Sequence, residues 1–69
     1  MDAQRRVGLN ARKHRLAAGL TQEDIADRMG VDRSFVSGLE RGERNLTLKS
    51  LSSLAQALGV KLVQLVEGL

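Results

Sequence analysis

Apolar residues in this chain recur three and four positions apart rather than two, the period of helices with one buried face. Ala3, Val7, Ala11, His14 and Ala18 share one stripe, with His14 as its one polar member. Ile25 and Met29 mark a second, Val36 and Leu39 a third, and Leu48, Leu51, Leu54, Ala55 and Leu58 a fourth. The last stretch, Leu62, Val63, Leu65 and Val66, is almost wholly apolar. Gly19, Gly30, Gly42, Gly59 and Gly68 follow these stretches, where a residue without Cβ suits a helix end. Start signals alternate with them: Thr21 with Asp24 as a capping box, then Asp32 and Thr47 as N-caps. The pattern predicts five helices, at about 3–18, 22–29, 33–41, 48–58 and 61–67. Strand alternation is nearly absent, and the connections are short. The expected fold is therefore all-α, a cluster of five helices in one domain over residues 1–69.

Length and composition exclude several classes. A chain of 69 residues buries only roughly 60% of its unfolded surface, so its stability margin is thin. Without Cys and with one His it offers neither a thiolate site nor a His cluster, and no metal or cofactor is expected. No apolar run nears the roughly 20 residues that span a bilayer. Met1–Arg6 is charged with no apolar segment after it, so no signal peptide is expected and a cytoplasmic location is. The net charge of +3 and pI of about 10.2 lean towards an anionic partner. Five of the eleven basic residues fall in residues 1–15, against one acid. Glu23, Asp24 and Asp27 suit the positive end of the second helix. Arg33, Arg41, Arg44 and Lys49 make residues 33–49 basic despite Glu40 and Glu43.

Residues 22–41, QEDIADRMGVDRSFVSGLER, read as a helix, a short turn with Gly30, and a second short helix. Ala26 falls where the two helices cross closely. On a wheel of residues 32–41, Phe35, Val36 and Leu39 face the core, while Arg33, Ser34, Ser37, Gly38 and Arg41 form the opposite face. That face carries guanidiniums, hydroxyls and a bare backbone patch, and it suits a B-DNA major groove.

The run GLTQEDIADRMGVDRSFVSGLERGERNLTLKSLSSLAQALGV resembles the lambda-repressor/Cro-like, or xenobiotic-response-element, helix-turn-helix family. Gln22, Ala26, Gly30, Val36, Glu40 and Gly42 carry the resemblance, which extends over nearly the whole chain. DRSFVSGLERGERNLT is most similar to controller proteins of restriction–modification systems and small standalone repressors. The resemblance implies a five-helix DNA-binding domain with the helix-turn-helix as helices two and three. It puts Thr21, Gln22 and the helix N-terminus against a phosphate, Arg33 and Ser34 at base edges, and Arg44 and Asn45 beside the groove. Lys49 is a further phosphate candidate. Phe35 stands where relatives often have Tyr, whose hydroxyl meets a phosphate; core packing or a thymine methyl is its expected partner. Asn45-Leu46-Thr47 lacks a common proline, which loosens that loop.

The last helix carries more apolar surface than a lone domain needs. Leu62, Val63, Val66 and Leu69 are the expected homodimer interface, with Leu9 and Leu16 on the first helix as the alternative. The function expected is a homodimeric, double-stranded-DNA-binding transcription regulator with no catalytic residues. A protein-interaction module on the same scaffold, of antitoxin or coactivator-bridge type, is the rival; a toxin-binding tail would mark it.

Overall fold

Side chains at the helix starts take up the backbone amides that a first turn leaves without partners. In a computed structural model describing residues 2–69, Asp2 accepts the Arg5 N–H at 2.8 Å and opens α1, Ala3–Ala17. Thr21 and Asp24 exchange bonds of 3.0 and 2.9 Å ahead of α2, Gln22–Met29. Asp32 accepts from Ser34 N at 3.1 Å at the start of α3, Arg33–Glu40. Thr47 does the same for Ser50 at 3.1 Å in α4, Leu48–Leu58. Lys61 has no acceptor to offer α5, Leu62–Leu65; Gln64 Oε1 instead takes the Lys61 N–H at 2.8 Å. Each good side-chain cap contributes about 1 kcal/mol.

The core follows from the stripes. α1 packs on α3, α4 and α5, and α2 packs on α3 and α4. Ile25, Val36, Leu39, Leu54 and Leu65 are the largest fully buried side chains, one or more from each of the last four helices. Val7 and Ala11 close the core from α1. Ala26 is buried at the α2 crossing, as its size suggests. Gly30 takes φ 71° at the turn into α3, a conformation that a Cβ would strain. Gly8 serves a different need: a Cβ there would sit 2.5 Å from Leu39 O and 2.6 Å from Glu40 O. α1 and α3 therefore cross at backbone contact, which brings the end of α3 under the middle of α1.

Three expectations change. α5 is a single turn rather than a helix to residue 67, because the chain reverses at Leu65. Asn10 Nδ2 donates to Leu65 O at 2.8 Å and Glu67 O at 2.9 Å, tying the segment after α5 to α1. The buried stripe of α1 runs Val7–Ala11–Arg15, so Ala3 and Ala18 are exposed and His14 is half-buried. Leu48 is exposed although its helix is otherwise apolar inward. Among the described residues no helix is long and apolar enough to cross a membrane.

Candidate functional site

α2 and α3 form a helix-turn-helix whose outer surface is α3. α3 is eight residues, about 12 Å long, and a helix about 10–12 Å across fits a major groove about 12 Å wide. Arg33, Ser34 and Arg41 are exposed on it and Ser37 is partly so. Arg33 projects from the first turn, and its Nη1 donates to Gln22 Oε1 at 3.4 Å. Gln22 is half-buried between the helices, and its Nε2 donates to Glu40 Oε1 at 3.2 Å. The sequence reading aimed this amide at a phosphate; the structure also uses it to join α2 to α3. Thr21 is exposed as the α2 cap, its oxygen accepting from Asp24 N.

Several polar groups on this face bond to one another. The Ser34 hydroxyl donates to Asp32. Asp32 Oδ2 accepts from that hydroxyl and from Ser34 N, and Asp32 and Arg33 form no ion pair. Those two bonds, the hydroxyl's first, hold the Asp32 carboxyl below its ordinary pKa. Arg41 Nη1 donates to Ser37 Oγ and its Nη2 lies 3.1 Å from Glu43 Oε1. Arg41 in turn lowers the Glu43 pKa by hydrogen bond and by charge. This exposed pair is worth little to stability. It does place Arg41 along the outer edge of α3.

Gly38 departs from expectation. It is buried, and the Arg44 side chain lies across it, so the bare backbone patch is covered within the chain. The Arg44 guanidinium also stands over the Phe35 ring, 5.3 Å from its centroid. Phe35 packs on the core while its ring meets Arg44. Asn45 is exposed, and its Oδ1 accepts from Gln4 Nε2 of α1. Lys49 is exposed in the first turn of α4. Arg33, Arg41, Arg44 and Lys49 are thus all exposed on α3, the loop after it and the start of α4.

Arg15 and Glu40 were missed as partners. Arg15 Nε lies 2.7 Å from Glu40 Oε2 and Nη2 3.0 Å from Oε1, with the two side chains only 10% and 6% exposed. Arg15 Nη1 adds a bond of 3.0 Å to Leu20 O. Donating to the Glu40 carboxylate raises the Arg15 pKa above its ordinary value. A signal existed: Arg15 stands four residues after Ala11 on the Val7–Ala11 line, and Glu40 lies beside Val36 on the α3 wheel. The pair ties α1 to α3 and fixes the carboxylate that holds Gln22.

On α5, Val63 and Leu69 beyond it are 61% and 67% exposed, Leu62 is 36% exposed, and Val66 is half-buried against the core. Leu9 and Leu16 are also exposed.

A helix turned through Gly30 onto a short helix with one solvent-facing side defines the helix-turn-helix class. A family model described as helix-turn-helix matches residues 12–65, and the chain belongs to that family. An uncharacterized HTH-type transcriptional regulator of Sinorhizobium fredii is 48% identical over 66 residues, 96% of this chain and 86% of its own length. The restriction-modification controller protein C.AhdI from Aeromonas hydrophila superposes with a TM-score of 0.85 at 42% identity, covering 90% of this chain and 94% of that one. The controller protein C.Esp1396I, solved as a tetramer in complex with its natural 35 base-pair operator, gives 0.83 at 36% identity over 96% of both chains. The lambda-repressor-like family and the likeness to controller proteins read from the sequence are both found again here.

Proposed function

We propose that this chain is a sequence-specific, double-stranded-DNA-binding transcription regulator that acts as a homodimer in the cytoplasm, at the nucleoid. The observation that carries it is the exposed face of α3, with Arg33 at one end and Arg41 at the other, beside Arg44 and Lys49. Arg33 reads a base edge, with guanine O6 and N7 as its natural bidentate partners. Arg41, Lys49 and the α2 N-terminus at Gln22 contact phosphates, and Asn45 flanks the groove. The solved complex of the similar C.Esp1396I with its operator supports this reading. Val63 and Leu69, with Leu62, supply a two-fold contact between copies, which sets half-sites about 34 Å apart. We read no catalytic role: the Ser37 hydroxyl accepts from Arg41, and the Ser34 hydroxyl donates to Asp32, an exposed carboxylate held below its ordinary pKa and so a weak base.

The test is selection from a random duplex pool followed by a salt titration of the selected site. Log K should fall with log salt at about −0.9 per neutralised phosphate. A flat dependence, or no duplex enriched, overturns the reading in favour of a protein-interaction module.

A further inference from the structure

Arg44 lies outside α3, in the loop, yet its side chain is laid back along that helix. Its Nε, Cγ and Cδ would stand 3.1, 3.4 and 3.7 Å from a Cβ built on Gly38. Its guanidinium carbon ends 5.3 Å from the centroid of Phe35, within the roughly 6 Å reach of a cation–π contact. Phe35 and Gly38 are three apart on one helix and so form adjacent parts of a single shelf. The loop backbone is fastened to the same turn, where the Glu43 N–H donates to Gly38 O at 2.9 Å. Phe35 is the only Phe in a chain without Tyr or Trp, and Gly38 is the only glycine inside α3.

We propose that Phe35 and Gly38 are positioning residues for Arg44: together they hold its guanidinium at the C-terminal end of the recognition face before DNA arrives. This rests on the DNA-binding reading above. A long side chain loses rotamer freedom when a partner immobilises it, and one already laid on a shelf loses less. Gly38 is needed because any side chain would occupy the path of Arg44. Phe35 is needed because its face attracts the cation while leaving the N–H groups at the guanidinium's edge able to donate.

The proposal is tested with a double-mutant cycle on the duplex that the wild-type chain selects. Phe35→Leu should weaken binding about two- to fivefold, the worth of an exposed cation–π contact. It should change nothing further in an Arg44→Ala background. Phe35→Tyr keeps the ring and should keep the coupling to Arg44. Gly38→Ala separates positioning from folding, because alanine favours the helix interior. It should leave the fold at least as stable yet weaken binding, and that loss should vanish when Arg44 is also Ala. Equal losses with and without Arg44 would overturn the proposal, since the new methyl or the lost ring would then act on DNA or the core directly. Tighter binding by Phe35→Leu would also overturn it, because Arg44 would then have to leave the ring to bind. NMR of the DNA-free chain gives a readout independent of binding: ring current should shift the Arg44 δ protons upfield, and Phe35→Leu should abolish the shift. Unshifted protons in the wild-type chain would refute the shelf even if DNA binding holds. If the wild-type chain enriches no duplex, the DNA-binding reading fails and the proposal fails with it, whatever the NMR shows.

Discussion

Replacing Arg15 by Met should unfold a large part of the population, although the residue is far in sequence from the recognition helix. The substitution keeps length and apolar stem but removes three donors: Nε and Nη2 to Glu40, and Nη1 to Leu20 O. Glu40 is then left 6% exposed with the Gln22 amide as its remaining side-chain donor. Breaking one side of a buried ion pair costs about 3–5 kcal/mol. A 69-residue chain at about 0.05–0.15 kcal/mol per residue has only about 3–10 kcal/mol in all. Each kcal/mol moves the melting point of a domain this size by about 4–8 °C, so a drop of roughly 12 °C or more is expected. Arg15→Met with Glu40→Leu should recover most of the loss, because an apolar pair of similar volume often replaces a buried ion pair at little cost. The assay is urea unfolding followed by far-UV circular dichroism, run as a double-mutant cycle. A loss of under about 1 kcal/mol for Arg15→Met, the range of surface pairs, would refute the buried-pair reasoning. The rescued double variant should still bind DNA poorly, because Gln22 no longer has the carboxylate that sets its amide against Arg33.

Other consequences follow from single contacts. Val63→Asp should shift the chain towards monomer in sedimentation and weaken operator binding with the fold retained; an unchanged mass would move the interface to Leu9 and Leu16. Gly8→Ala should destabilise by about 1–3 kcal/mol in the same urea assay, since its methyl meets the Leu39 and Glu40 carbonyls and backbone must move; a neutral outcome would contradict the close crossing. Asp24, Asp32 and Glu43 all have folded pKa values below their ordinary 3.8, 3.8 and 4.5. Their contribution is therefore full above those ordinary values and is lost as pH falls through the lowered ones. Urea midpoints should decline from about pH 4 downwards, and Asp24→Asn should make that acid limb shallower; an unchanged limb would remove Asp24 from it.

Helix starts were legible because Thr21, Asp24, Asp32 and Thr47 act within a few residues of themselves, and local chemistry is written locally. The glycine ends were legible for the same reason. The Arg15–Glu40 pair was harder to see, because it joins residues 25 apart and its one signal is that each charge sits on the buried line of its own helix. Gly8 was opaque in the same way: its role depends on Leu39 and Glu40 carbonyls that only the packed α1–α3 crossing brings near. The wheel of α3 placed Arg33, Ser34, Ser37 and Arg41 outward, where they lie. It misjudged Gly38, since a helical wheel knows nothing of a loop side chain folding back over it. The reach of the last helix was overread because apolar composition does not reveal where a helix ends, and Asn10 of α1 holds the chain beyond its single turn.

The most direct measurement is the base-preference profile of Arg33→Ala against every single-base substitution of the selected site. If α3 reads the groove through Arg33, the variant should lose about 1–3 kcal/mol on the selected site and relax preference at one base pair in each half-site. Binding to unrelated duplex should fall much less, and the profile at the other positions should stay as it was. A profile indistinguishable from wild type, or equal weakening on selected and unrelated DNA, would contradict base reading by the first turn of α3 and leave Arg33 as a phosphate contact.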